Sequence, residues 1–176
     1  MLTLLSILSA VSVADSQTPD SGVTAAKKHW DLMVGDWTMV GMAKDSAKGA
    51  EYAVAWTLHG VRILDGMFVQ VDQAWKGDGQ ESHTREIVSY DPVSRTHSTH
   101  GYSDDGSTWV GKGTYRDHTL VEEGTTTGMG GRVTKWRDTY VYSADWMSVT
   151  GSEEVETDGI NWTSFTVKGT KSGRPD

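Results

Sequence analysis

Asp105-Gly106-Ser107-Thr108-Trp109-Val110-Gly111-Lys112-Gly113-Thr114-Tyr115 decides the fold. Asp-Gly supplies the backbone of a tight turn. The residues after it alternate with a period of two: Trp109, Gly111, Gly113 and Tyr115 on one face, Val110, Lys112 and Thr114 on the other. That is a β-strand entered through a hairpin. Asp158-Gly159-Ile160-Asn161-Trp162 repeats the Asp-Gly-x-x-Trp pattern, which is shared hairpin chemistry rather than a sign of duplication. Working outward, the same period gives about ten strands, near 36–44, 50–59, 62–75, 83–90, 94–103, 107–115, 118–123, 131–143, 145–154 and 160–170. Lys76-Gly77-Asp78-Gly79, Asp91-Pro92, Asp104-Asp105-Gly106, Gly128-Met129-Gly130-Gly131 and Asp158-Gly159 punctuate them. All three prolines, Pro19, Pro92 and Pro175, fall outside these stretches, as ladder hydrogen bonding requires.

Short connections between successive strands imply an antiparallel meander. Ten strands without intervening helices would expose long edges unless the sheet closes. The expectation is an all-β, antiparallel up-and-down barrel, with a two-sheet sandwich as the competing architecture. A barrel of this strand number encloses more space than its own side chains need fill.

The N-terminal region differs. Residues 1–14, MLTLLSILSAVSVA, carry no charge and hold four of the eight leucines within the first eight positions. They read as a signal peptide, too short to span a bilayer and without the usual basic n-region. A buried N-terminal strand is the alternative. Cleavage falls after Ala14, or later near Asp15–Thr18. Residues 15–22 read as a polar leader, 23–171 as a single domain and 172–176 as a tail. A short helix is expected over Thr24–Met33, capped by Thr24, with Trp30, Met33 and Val34 on one face and Gly35 as its stop. No other segment is long and apolar enough for a membrane helix, so a soluble, secreted or periplasmic bacterial protein is expected.

Composition narrows the function. The 176 residues include 16 Lys and Arg against 24 Asp and Glu, a net charge of −8. This disfavours a nucleic-acid partner. The absence of cysteine excludes disulfides, thiolate metal sites and a Cys nucleophile. No P-loop, Gly-x-Ser-x-Gly elbow, His-Glu-x-x-His or dinucleotide fingerprint is present. His97 and His100 look like a ligand pair, but three positions along a strand place them on opposite faces, so no metal site is expected. Our reading sets Ser98, His100 and Tyr102 inward. Most acids sit in turns. Glu122-Glu123 and Glu153-Glu154 each put one carboxylate on each strand face, and Glu86 with Asp138 or Arg137 is the candidate acid–base pair. The eight tryptophans serve as core filler or as a cavity wall for a planar, apolar ligand. Trp37 is expected to plug one end, Trp56 to face inward with Val54 and Leu58, and Trp109 to leave room beside its glycines. Trp136, Asp138 and Tyr140 line either the outside or a polar cavity.

His29-Trp30-Asp31-Leu32-Met33-Val34-Gly35-Asp36-Trp37 resembles the opening of calycin-type small barrels. Leu64-Asp65-Gly66-Met67-Phe68-Val69-Gln70, Val88-Ser89-Tyr90-Asp91-Pro92, Ser103-Asp104-Asp105-Gly106 and Asp158-Gly159-Ile160-Asn161-Trp162 come after it in matching order. Over roughly residues 27–171 the chain resembles an uncharacterised lipocalin-like family of exported bacterial proteins, a domain of unknown function. The Gly-x-Trp opening is also similar to nitrobindin-like haem barrels, which need an axial histidine on a late strand. Residues 131–170 contain no histidine, so no haem or other cofactor is expected.

The leading reading is an exported barrel that binds a small apolar or aromatic molecule, lined by Trp56, Val69, Tyr90, His100, Trp109 and Trp136, with no catalytic residue assigned. The alternatives are an isomerase or hydrolase on the same barrel, using His100, Glu86 or Tyr90, and an envelope interaction module with a collapsed interior.

Overall fold

The computed structural model describes residues 30–172. The signal-peptide and leader readings, most of the expected helix and all but the first residue of the expected tail lie outside those residues. Ten strands are present among them: β1 (Gly35–Ala43), β2 (Tyr52–Ile63), β3 (Phe68–Gly77), β4 (Gln80–Asp91), β5 (Thr96–Ser103), β6 (Thr108–Arg116), β7 (Thr119–Thr127), β8 (Val133–Tyr142), β9 (Ser148–Thr157) and β10 (Ile160–Ser172). Each pairs antiparallel with its sequence neighbours, and β1 pairs with β10 to close the barrel. Every described strand therefore has a ladder on both sides, which removes the open edges that would pair with another chain.

Two expected strands have different limits for local reasons. The stretch 62–75 is broken where Leu64, Asp65 and Gly66 take φ values of 50°, 57° and 79°. Three successive left-handed residues cannot continue a ladder, so β2 ends at Ile63 and a turn leads into β3. Trp146, expected on a strand, lies in the turn before β9 with φ 63°. Its ring packs against His118 at 4.6 Å and Tyr142 at 5.7 Å.

Of the expected helix, the described part is a 3-10 turn over Trp30–Leu32. Met33 and Val34 both donate backbone N–H bonds to the Trp30 carbonyl at 3.0 Å. This turn drops Trp30 into one end of the barrel, where it is fully buried against Val69, Val71 and Val88. Tyr90 and His97 meet its ring edge-on at 6.2 and 6.0 Å. Gly60 makes the approach feasible, since a Cβ there would lie 1.9 Å from the Met33 carbonyl oxygen. Trp30 thus fills the role expected of Trp37. A residue ahead of the first strand can enter the barrel end, whereas Trp37 is fixed on the wall by its ladder partners Leu58 and Lys171.

Small residues opposite large ones organise the wall. Trp109 faces Gly101 across the β5–β6 ladder, Trp136 faces Gly124 across β7–β8, and Tyr140 faces Gly151 across β8–β9. A Cβ on Gly101 would sit 1.9 Å from the Trp109 ring, one on Gly124 2.3 Å from Trp136, and one on Gly151 2.4 Å from Tyr140. Each ring lies over the neighbouring strand's glycine and stays on the wall instead of crossing the lumen.

Gly101→Ala is expected to lower stability by about 1–3 kcal/mol through overpacking. In the Trp109→Ala background the same change should become nearly neutral, because the ring it strikes is gone. Urea unfolding of the four proteins in this cycle measures the difference; an unchanged penalty in the double variant would mean that the ring does not set the constraint.

Candidate functional site

The wall encloses a cavity of about 510 Å³ between the Trp30 plug and the opposite end of the barrel. Volumes of roughly 300–1,000 Å³ are typical of small-molecule sites. The far end is formed by the connections after β1, β3, β5, β7 and β9. There Tyr52 donates its hydroxyl to Asp45 at 2.5 Å and meets Trp75 edge-on at 6.3 Å. Burial and the Asp45 carboxylate push the Tyr52 phenol up to about 12. Deeper in, Trp56 packs edge-on against Phe165 at 5.0 Å. Five Trp, three Tyr and one Phe line the cavity among the described residues.

Four carboxylic acids also reach it from the strands: Glu86 on β4, Glu122 on β7, Asp138 on β8 and Glu153 on β9. Among the described residues, the lining includes no Lys, Arg or His. Glu122 pairs directly with Asp138, and Asp138 with Glu153, so three neighbouring strands carry three inward acids in one row. Directly opposed like charges destabilise a sheet. Glu86 accepts a hydrogen bond from the Trp109 indole N–H at 3.0 Å. Asp138 accepts one from the Tyr140 hydroxyl at 3.3 Å, and Glu153 accepts one from Ser164. Ser164 is the extra residue of a β10 bulge, which turns its hydroxyl toward Glu153. Glu122 faces the Thr99 hydroxyl, and Asp138 Oδ1 is buried without a hydrogen-bond partner among the described residues.

These surroundings disfavour ionisation. Burial raises the Glu86 carboxyl from 4.5 to about 7, helped by repulsion from Glu122 and opposed by the Trp109 and Gln73 hydrogen bonds. Burial likewise raises Glu122, opposed by the Thr99 hydroxyl, and Glu153, opposed by Ser164. Asp138 stands well above the usual range, first from burial and then from Glu153, Glu122 and Glu86. Tyr140 rises through burial first, and then through Asp138, Glu153 and Glu86. Among the described residues, no three of His, Asp and Glu are arranged to hold one metal ion.

The expected lining residues have separate fates. Trp56, Trp109 and Trp136 all line the cavity. Val69 and Tyr90 face inward but lie in the apolar plug around Trp30, below the open space. His100 is a correction: it is exposed on the outer face, as is Tyr102 at 55% exposure, while His97, Thr99 and Gly101 face inward. Placing the large Tyr102 inside shifts the parity of β5 by one. Gly101 must face inward because the Trp109 ring covers it. The two histidines do occupy opposite faces, and His97 is fully buried beside Trp30 and Tyr90. Of the candidate acid–base partners, Glu86 and Asp138 share the cavity, whereas Arg137 points outward to Glu123 at 3.0 Å. Each doublet does put one glutamate inward, Glu122 and Glu153, a choice the sequence leaves open, and their convergence with Asp138 has no local signal. Trp75, Tyr142 and Phe165 join the lining beyond the residues expected from sequence. The alternation of Tyr140 and Tyr142 with Trp136 marks the face that those three share.

No protein-family profile matches the chain, and neither does any curated protein. Solved structures do match. Rv2717c from Mycobacterium tuberculosis superposes with a TM-score of 0.64 at 12% identity, covering 83% of this chain and 96% of that one. The S-type phycobiliprotein lyase CPES from Guillardia theta superposes with a TM-score of 0.59 at 10% identity, covering 89% and 98%. The chain has a lipocalin-like barrel fold. At these identities the likeness is one of fold alone.

The raised carboxyls carry a sign for stability. Between pH 4.5 and about 7 the folded chain holds a proton on Glu86 that the unfolded chain has lost. Stability is therefore full below the lower value and declines as pH rises through the upper one. Glu86→Gln should remove on the order of 3 kcal/mol of that decline. Urea midpoints at pH 5 and pH 7.5 for both proteins test it; a stability that climbs over this interval, or a variant with the same slope, would contradict the assignment.

Proposed function

We propose that this protein is an exported barrel that binds a small, planar and largely apolar molecule in its lumen. The observation that carries the reading is the open cavity walled by aromatic rings, each held back by a glycine or packed ring against ring. Burial of apolar ligand surface supplies the affinity, at roughly 25 cal/mol per Å². Ser82, Thr84 and Gln73 in the lining supply orienting hydrogen bonds. An interaction module with a collapsed interior fits this cavity poorly. A phycobiliprotein lyase shares this fold.

An acid–base enzyme on the same cavity is the second reading. It draws on Glu86, whose carboxyl near 7 suits proton transfer at neutral pH. Of the three residues expected for such a role only Glu86 reaches the cavity. His100 is outside and Tyr90 belongs to the plug.

Native mass spectrometry of the purified protein is expected to show a small molecule that leaves on denaturation. Thr84→Trp, which fills the lumen, should be purified without it. A protein at its bare mass, whose tryptophan fluorescence responds to no aromatic compound, would refute the binding reading.

Export rests on residues 1–14. When the full chain is expressed in a bacterial host, the exported fraction should begin after Ala14 or within Asp15–Thr18 by N-terminal sequencing. An intact Met1 on protein confined to the cytoplasm would refute it.

A further inference from the structure

Closure of ten strands in sequence order sets β7–β9 across the lumen from β2 and β3. One side thus presents the row Glu122, Asp138 and Glu153, and the other presents Trp56 and Trp75. Glu122 is 7% exposed and faces the Thr99 hydroxyl, while the buried Asp138 Oδ1 has no hydrogen-bond partner among the described residues. Buried carboxylates without a counter-charge are costly, and among the described residues no basic side chain lines this cavity. The nearest basic residue in sequence, Arg137, spends its charge on Glu123 outside. An acceptor without a donor, in an acidic row facing indole rings, is chemically complementary to a cationic nitrogen on a planar body. The carboxylates take the N–H groups, and the indole faces attract both the ring and its charge.

We infer that the ligand of this barrel is an organic cation, an aromatic or otherwise planar amine whose charged nitrogen sits at the Glu122–Asp138–Glu153 row while its apolar body lies against Trp56 and Trp75. A bare metal ion fits less well, because these acids do not converge on one point among the described residues and the rest of the wall is aromatic. The inference rests on the binding reading above and narrows it from apolar to cationic.

Three probes with one ring system separate the two. Isothermal titration of the full protein at pH 8 with 1-naphthylmethylamine, 1-naphthylmethanol and 1-naphthoate is expected to rank them in that order, the amine binding at least roughly tenfold tighter than the alcohol. The triple variant Glu122→Gln, Asp138→Asn, Glu153→Gln keeps the shape of the row and removes its charge. It should fold at least as stably and lose the preference for the amine over the alcohol. Equal binding of amine and alcohol by the parent, tighter binding of the acid, or a preference that survives in the triple variant would overturn the inference and leave the binding reading standing. No binding of any of the three would overturn both.

Discussion

The cavity exists because glycines stand opposite rings. A closed sheet of ten strands turns half of its side chains inward, and these include five tryptophans that line the lumen. Such bulk would fill the interior if each ring projected from its own strand. Gly101, Gly124 and Gly151 let Trp109, Trp136 and Tyr140 lie across the neighbouring strand instead. The same residues that thicken the wall thus preserve the space. The Trp30 plug complements this arrangement by concentrating the dry apolar core at one end, with Val69, Val71, Val88 and Tyr90.

The polar character of the site comes from the same geometry. Inward positions on β7, β8 and β9 read Leu120-x-Glu122, Trp136-x-Asp138-x-Tyr140 and Val149-x-Gly151-x-Glu153. Register then brings the three acids abreast. Their neighbours on the outer face, Glu123, Arg137 and Glu154, include the basic residue that would have neutralised them. The protein keeps acids inside and their ordinary partners outside, so without a cation in the cavity these carboxyls resist ionisation. A site of this kind departs from the local rule that buried charge is paired, and such departures are characteristic of function.

Alternation along the chain goes far in such a molecule. Apolar and glycine neighbours place Trp56 and Trp109 on the inner face, while the face of Trp136, and the choice of inward glutamate in each doublet, stay open until the ladders are known. Parity also misleads, at His100. Ser98, His100 and Tyr102 form as plausible a face as His97, Thr99 and Gly101, and the choice between them turns on an aromatic that prefers solvent here. Gly101 settles the choice, because the Trp109 ring covers it and leaves no room for a side chain.

The number of strands, their antiparallel order and, for most of them, the apolar face are legible along the chain. Those properties are local: turn chemistry and a period of two act over a few residues. Only the tertiary structure decided that Val69 and Tyr90 sit at the plug while Glu86 and Trp109 sit at the cavity, and that an acidic row on β7–β9 looks across at indoles on β2 and β3. Height along a barrel depends on the stagger accumulated around the whole ring of ladders, and opposition across a lumen depends on closure between β1 and β10. Neither quantity is stored in any one segment.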